Sequence, residues 1–104
     1  MSIENIIWRG VIMEFVKGEN RFYKEDEDGN LIAEITYKPM DEQTVDADHT
    51  FVDPSLRGQG VAEKLVDRLV EEMEKEGKKI HPTCPYVVKL FERKRDKYEN
   101  IIAK

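Results

Sequence analysis

Two periods divide the chain near its middle. Up to residue 52, apolar residues recur in short alternating blocks. Beyond Asp53-Pro54 they recur at helical spacing. Ile6-Ile7-Trp8 and Val11-Ile12-Met13-Glu14-Phe15-Val16 read as strands, followed by a turn at Lys17-Gly18-Glu19-Asn20. Arg21-Phe22-Tyr23-Lys24 continues the pattern, and Asp28-Gly29 predicts a tight hairpin because glycine supplies the positive φ of a primed turn. The returning strand, residues 31–37, places Leu31, Ala33, Ile35 and Tyr37 on one face, and Pro39 ends it. In residues 44–52, Val45, Ala47, His49 and Phe51 alternate with Asp46, Asp48 and Thr50.

A helix is expected over residues 60–76, with Val61, Leu65, Val66, Leu69, Val70 and Met73 as its buried stripe. Glu63, Lys64, Asp67, Arg68, Glu71, Glu72 and Lys75 fall on its solvent side, and Gly77 suits the residue after its end. Lys78-Lys79-Ile80-His81 reads as a short strand. Pro85 opens a second helix carrying Tyr86, Val87, Val88, Leu90 and Phe91, and a last short helix contributes Tyr98, Ile101 and Ile102. An antiparallel meander feeding a crossover helix, then a strand and a helical C-terminal segment, is an α+β architecture.

With 104 residues the chain is expected to form one domain with one modest core, residues 1–104. No apolar run approaches the ~20 residues of a membrane helix. Met1-Ser2-Ile3-Glu4-Asn5 does not read as a signal peptide, so a cytoplasmic location is expected. A net charge of −5 disfavours nucleic acid, whose binding depends on Lys and Arg at phosphates. The basic cluster at residues 92–97 reads as a solvated helix end. One cysteine, Cys84, excludes an internal disulfide and a multi-cysteine zinc site, and His81 with Cys84 gives too few ligands for a metal.

The stretch Val52-Asp53-Pro54-Ser55-Leu56-Arg57-Gly58-Gln59-Gly60-Val61-Ala62 joins a strand end to a long helix through a glycine-bearing turn. Such a turn leaves backbone N–H groups at the positive end of the helix dipole, where a phosphate can lie, or it simply starts the helix. No P-loop is present, and Glu63 stands where a dinucleotide fingerprint requires Gly or Ala.

Arg57-Gly58-Gln59-Gly60-Val61-Ala62 resembles the Arg/Gln-x-x-Gly-x-Gly/Ala signature of GNAT-type N-acetyltransferases. Over residues 19–102 the chain resembles the small single-domain members of that superfamily. The resemblance is carried by Ala33-Glu34-Ile35-Thr36-Tyr37, Asp48-His49-Thr50-x-Val52, the Arg-Gly-Gln-Gly loop and Pro82-Thr83-Cys84-Pro85-Tyr86. It implies a truncated GNAT fold, with a mixed, largely antiparallel sheet splayed at a cofactor cleft. Residues 1–18 would be an N-terminal strand extension. It also implies acetyl-CoA or CoA held by Val52, Arg57, Gly58, Gln59, Gly60, Val61 and Ala62, with the pyrophosphate on the amides of residues 58–62 and Val52 paired to the pantetheine arm. The two helices that follow the first strand in larger members are missing, which implies an open acceptor cleft.

Cys84 lies at the start of the second helix, where the helix dipole favours a thiolate, so it is either an acetyl-carrying nucleophile or a cleft-lining residue. His49 is either a satisfied core histidine or a base for the amine and for Cys84. The resemblance adds Tyr86 and Tyr98 as candidate acids for the departing thiolate. The implied activity is N-acetyl transfer to an exposed amine, either a protein Lys or N-terminus or a small polyamine. It would run by direct attack in a ternary complex or through acetyl-Cys84. The alternatives are a non-catalytic acyl-CoA-binding or partner-binding module, and a basic-protein surface made by Asp46, Asp48 and the acidic loop at residues 25–28.

Overall fold

The computed structural model describes the backbone of residues 6–8 and 11–103, with side chains from Glu14 onward. Strands β1 (Ile6–Trp8) and β2 (Val11–Met13) form an antiparallel pair, and β3 (Val16–Gly18) is a separate strand. The single strand expected over residues 11–16 is therefore interrupted at Glu14-Phe15. Gly18, expected in the turn, pairs with Arg21 in the sheet, and Asn20 takes the positive φ of 59° that closes the connection.

Strands β4 (Arg21–Glu25), β5 (Leu31–Pro39), β6 (Thr44–Val52) and β7 (Lys79–Pro82) complete a five-stranded sheet in the order β3-β4-β5-β6-β7. Its pairs are antiparallel except β6 with β7, which the crossover helix α1 (Val61–Glu76) joins in parallel. Helices α2 (Pro85–Arg93) and α3 (Arg95–Tyr98) follow. The chain then returns to β7, where Ile80 donates to the Ile101 carbonyl and accepts from the Ala103 amide.

The β4–β5 connection is longer than the expected two-residue turn. The Asp26 carboxylate accepts from the amides of Asp28 and Asn30, while Gly29 carries the positive φ of 86°. The register shifts between Lys24 and Glu25, so Leu31 leaves the face of Ala33, Ile35 and Tyr37 and is exposed. Those three pack with Phe22, Val45 and Ala47 beneath Val61, Leu65, Val66, Leu69 and Met73 of α1 and Val87, Leu90 and Phe91 of α2. Glu72, assigned from the sequence to solvent, is buried beside this stripe. Its carboxylate accepts from Lys17 on β3 (2.6 Å) and Arg68 (3.2 Å), so burial is compensated by paired charge.

One irregularity positions the site. Ile35 faces Thr50 and Thr36 faces His49, but Tyr37 faces Ala47, which leaves Asp48 as an extra residue in β6. A β-bulge of this kind bends its strand and resets the side-chain alternation.

Candidate functional site

The bulge decides which side chains of β6 face the helices. Val45 and Ala47 are buried in the core, as their alternation requires. Beyond the bulge the inward positions are Thr50 and Val52, opposite the buried Ile35 and Ala33. His49 is exposed, so it does not share the face of Val45 and Ala47 as the plain alternation predicted. Thr50, not His49, meets Cys84, with Oγ and Sγ 3.5 Å apart. His81 is exposed beyond the buried Ile80, in register with Asp46, and does not join Cys84 either.

β6 and β7 separate at the bulge. Their pairing ends at Ala47 with Pro82, and the amides of Thr83 and Cys84 both donate to the Ala47 carbonyl (3.0 Å each) as the chain turns into α2. The Asp53 amide donates toward β5, to the Ile32 carbonyl (2.8 Å). Because backbone groups alternate sides along a strand, the N–H and C=O of Val52 and Thr50 point the other way, to the edge that β7 has left. Among the described residues no strand pairs there.

An open cleft of about 420 Å³ occupies this divergence, lined by Thr50, Val52, Leu56, Arg57, Gly58, Gly60, Val61, Ala62 and Tyr86. Its floor begins with Asp53, whose carboxylate accepts from the Ser55 amide and hydroxyl and starts a 3-10 turn at Pro54–Leu56. Gly58 (φ 83°) and Gly60 (φ 73°) then turn the chain into α1. Gly60 is the N-cap and brings no side chain to the first helical amides, which therefore stay available at the positive end of the dipole. Of the seven residues read from the sequence as cofactor ligands, six line the cleft. Gln59 does not, because its amide turns back to the Ser55 carbonyl.

Tyr86 forms the opposite wall from the first turn of α2, and burial pushes its phenol above the ordinary tyrosine range. Tyr98, the other candidate acid, is buried away from the cleft with its hydroxyl donating to Asp67 (2.6 Å). Cys84 is the N-cap of α2 and is buried behind Thr50. The sequence reading missed Thr50 and Leu56; nothing in the residue pattern marks the bulge that turns Thr50 inward.

A charge cluster fixes α1 to the C-terminal segment. Glu63 accepts from Lys94 (2.9 and 3.0 Å) and Lys97 (2.9 Å), and Lys97 also reaches Asp67 (3.1 Å). Two lysines of the basic cluster are thus engaged with α1. Two of the acids read as a partner surface are engaged too: Asp46 accepts from Thr83, and Asp48 from Thr36 and Lys38.

This cluster makes stability depend on pH at both ends. The Glu63 carboxyl is held below the usual range, first by its hydrogen bond from Lys97. Its contribution is present above the unfolded value of about 4.3 and is lost as pH falls through the lower folded value. Lys97 is raised, first by Glu63, and the Tyr98 phenol is raised well above its usual range, first by burial and then by its bond to Asp67. Their contributions are complete below the unfolded values of about 10 and are lost as pH rises past them, because the unfolded chain sheds these protons first. The thermal midpoint followed by circular dichroism should hold from about pH 6 to 9 and fall above about 10. Tyr98→Phe should flatten the alkaline fall and cost about 1.5–3 kcal/mol at neutral pH, as expected for a bond to a charged acceptor.

The sequence profile of the GCN5-related N-acetyl-transferases matches residues 21–101. The chain belongs to that family. A GCN5-like protein from Staphylococcus aureus, solved by NMR, is 37% identical over 86% of this chain and 87% of its own, with a TM-score of 0.74. The GNAT family protein YhbS from Escherichia coli, crystallised with CoA, is 25% identical over 60% of this chain and 38% of its own (TM-score 0.54). Protein NATD1 of Xenopus tropicalis is 35% identical over 57 residues, which span 55% of this chain and 52% of the Xenopus protein. The five-stranded sheet with its helices is accordingly the GNAT fold in short form. Among the described residues no helix is long and apolar enough to cross a membrane.

Proposed function

We propose that the protein transfers an acetyl group from acetyl-CoA to an exposed amine: a protein Lys or N-terminus, or a small polyamine. The observation that carries this is the meeting, in one cleft, of the unpaired Thr50–Val52 edge with the uncapped start of α1. An amide-bearing pantetheine arm fits the strand edge, Val52 first. A pyrophosphate fits the amides after Gly58, with Arg57 alongside. Residues 1–104 then act as one domain, with residues 1–18 added ahead of the cofactor-binding part.

In the direct route, which we favour, the amine nitrogen attacks the thioester carbonyl carbon. The C–S bond breaks, and the amine surrenders a proton as the CoA sulfur takes one. Tyr86 is the donor for that sulfur: it lines the cleft, and its raised phenol keeps its proton at neutral pH. His49 faces outward, so it could serve as a base only for an acceptor arriving from that face of the sheet. In the alternative route Cys84 takes the acetyl group by thioester exchange, which is nearly isoenergetic, before passing it to the amine.

Titration with CoA should shift the amides of residues 57–62 and of Thr50 and Val52; unmoved spectra at millimolar CoA would remove the proposal. Tyr86→Phe should lower kcat about 100-fold or more with little change in CoA affinity. Cys84→Ala should retain transfer, and intact mass after incubation with acetyl-CoA should show no acetyl adduct. A hydroxylamine-labile adduct lost in Cys84→Ala would establish the second route. CoA binding with no release of CoA above the protein-free rate, across a panel of amines, would make the chain a binding module.

A further inference from the structure

The first turn of α1 holds a contradiction. Glu63 is the third residue of the helix, directly after the cleft-lining Ala62. A carboxylate there is favourable for the helix, because it answers the positive end of the dipole. That same positive end is what an anionic ligand would use. A carboxylate and a diphosphate would therefore compete for one field and repel each other. The charge of Glu63 also acts across the cleft, adding to the upward push on Tyr86. Asp67, one turn further along, has the same sign, and two acids four residues apart oppose each other.

The chain answers with lysines from a distant segment. The Lys94 ammonium sits 3.0 and 2.9 Å from the two oxygens of Glu63, and the Lys97 ammonium lies 2.9 Å from Glu63 and 3.1 Å from Asp67. The buried Tyr98 holds the remaining Asp67 oxygen and so fixes where α3 sits. Both lysines are about half exposed, at 45% and 47%. Pairs this wet contribute little to folding stability, so stability alone gives weak reason for two lysines on one carboxylate.

We propose that Lys94 and Lys97 are positioning residues of the cofactor site, which cancel the Glu63 charge so that the start of α1 can accept a diphosphate. The inference rests on the placement of CoA proposed above. Neither lysine lines the cleft, and their effect passes through Glu63.

The test is a charge cycle read by calorimetry or amide shifts, with CoA and phosphate-free pantetheine as the two probes. Lys94→Gln with Lys97→Gln should weaken CoA roughly tenfold at low salt and much less at high salt, because the effect is electrostatic. Pantetheine binding should not change. Glu63→Gln alone should tighten CoA several-fold by leaving the Lys94 ammonium uncompensated near the phosphates, while Lys97 keeps its pairing with Asp67. Adding Glu63→Gln to the double lysine variant should restore most of the wild-type affinity, since only the Asp67 charge, one turn further from the phosphates, is then left unanswered. Equal losses for CoA and pantetheine would indicate simple loosening of α3 and overturn the inference. So would absence of rescue in the triple variant, or a Glu63→Gln protein that binds CoA no better than wild type. Should the wild-type protein itself fail to bind CoA, the placement of the cofactor falls, and this inference with it.

Discussion

Gly60→Val should weaken CoA binding by at least about tenfold and destabilise the fold by about 1–3 kcal/mol, the range for a non-glycine residue held in a left-handed conformation. Gly60 sits at φ 73° and ψ 19°, and beyond its own chain neighbours no heavy atom lies within 4 Å of where a Cβ would be. The cost is therefore backbone strain rather than collision, and it is steep for a β-branched side chain. Relief requires the peptide to rotate, which swings the amides of Val61 and Ala62 away from the cleft. Gly60→Asn is the control, since asparagine tolerates this conformation. It should keep most of the stability and much of the affinity. If valine and asparagine bind CoA equally well, the conformation of Gly60 does not set the cradle.

Leu65→Ala should remove about 2–5 kcal/mol, the usual cost of emptying a fully buried leucine site. Leu65 has no exposed surface and belongs to the stripe of α1 that rests on β5 and β6. Against a typical total of about 5–15 kcal/mol, that is a large share. The thermal midpoint should fall by about 10–30 °C in a domain of this length. Bound CoA should recover part of the loss, because a ligand that binds only the folded state adds to its stability. A fall below about 1 kcal/mol would mean that α1 is not seated as described.

The helices were legible because their signals are local and redundant. The stripe from Val61 to Met73, the left-handed Gly77 at φ 70° and Pro85 after Cys84 each mark a boundary without reference to the rest of the chain. The glycine turn before α1 was legible for the same reason, since Gly58 and Gly60 are needed where the backbone takes positive φ. The errors share a different cause. Leu31 and His49 were assigned to the inner face by counting in twos, and in each case a register irregularity intervened. Glu72 was assigned to solvent because glutamate usually lies there. Its partner Lys17 comes from a strand 55 residues away, which no local pattern announces. Tyr98 was a candidate acid until its hydroxyl was found on Asp67, a contact between helices distant in sequence. Periodicity reads what a segment does to itself, whereas these features depend on which segments meet.

The unopposed Asp48 carries a consequence for how this groove could be gained or lost. Removing that one residue would leave Ala47 and Thr50 facing inward and His49 outward, since the alternation is already reset beyond it. The core, the glycine turn and every cleft-lining side chain would be retained. The bend would go, and β6 could run on beside the chain after Pro82, zipping shut the edge that Thr50 and Val52 leave open. The openness of this edge is written partly as a number of residues rather than as their kinds. A complete substitution scan of β6 would pass over it, and a single-codon deletion would expose it.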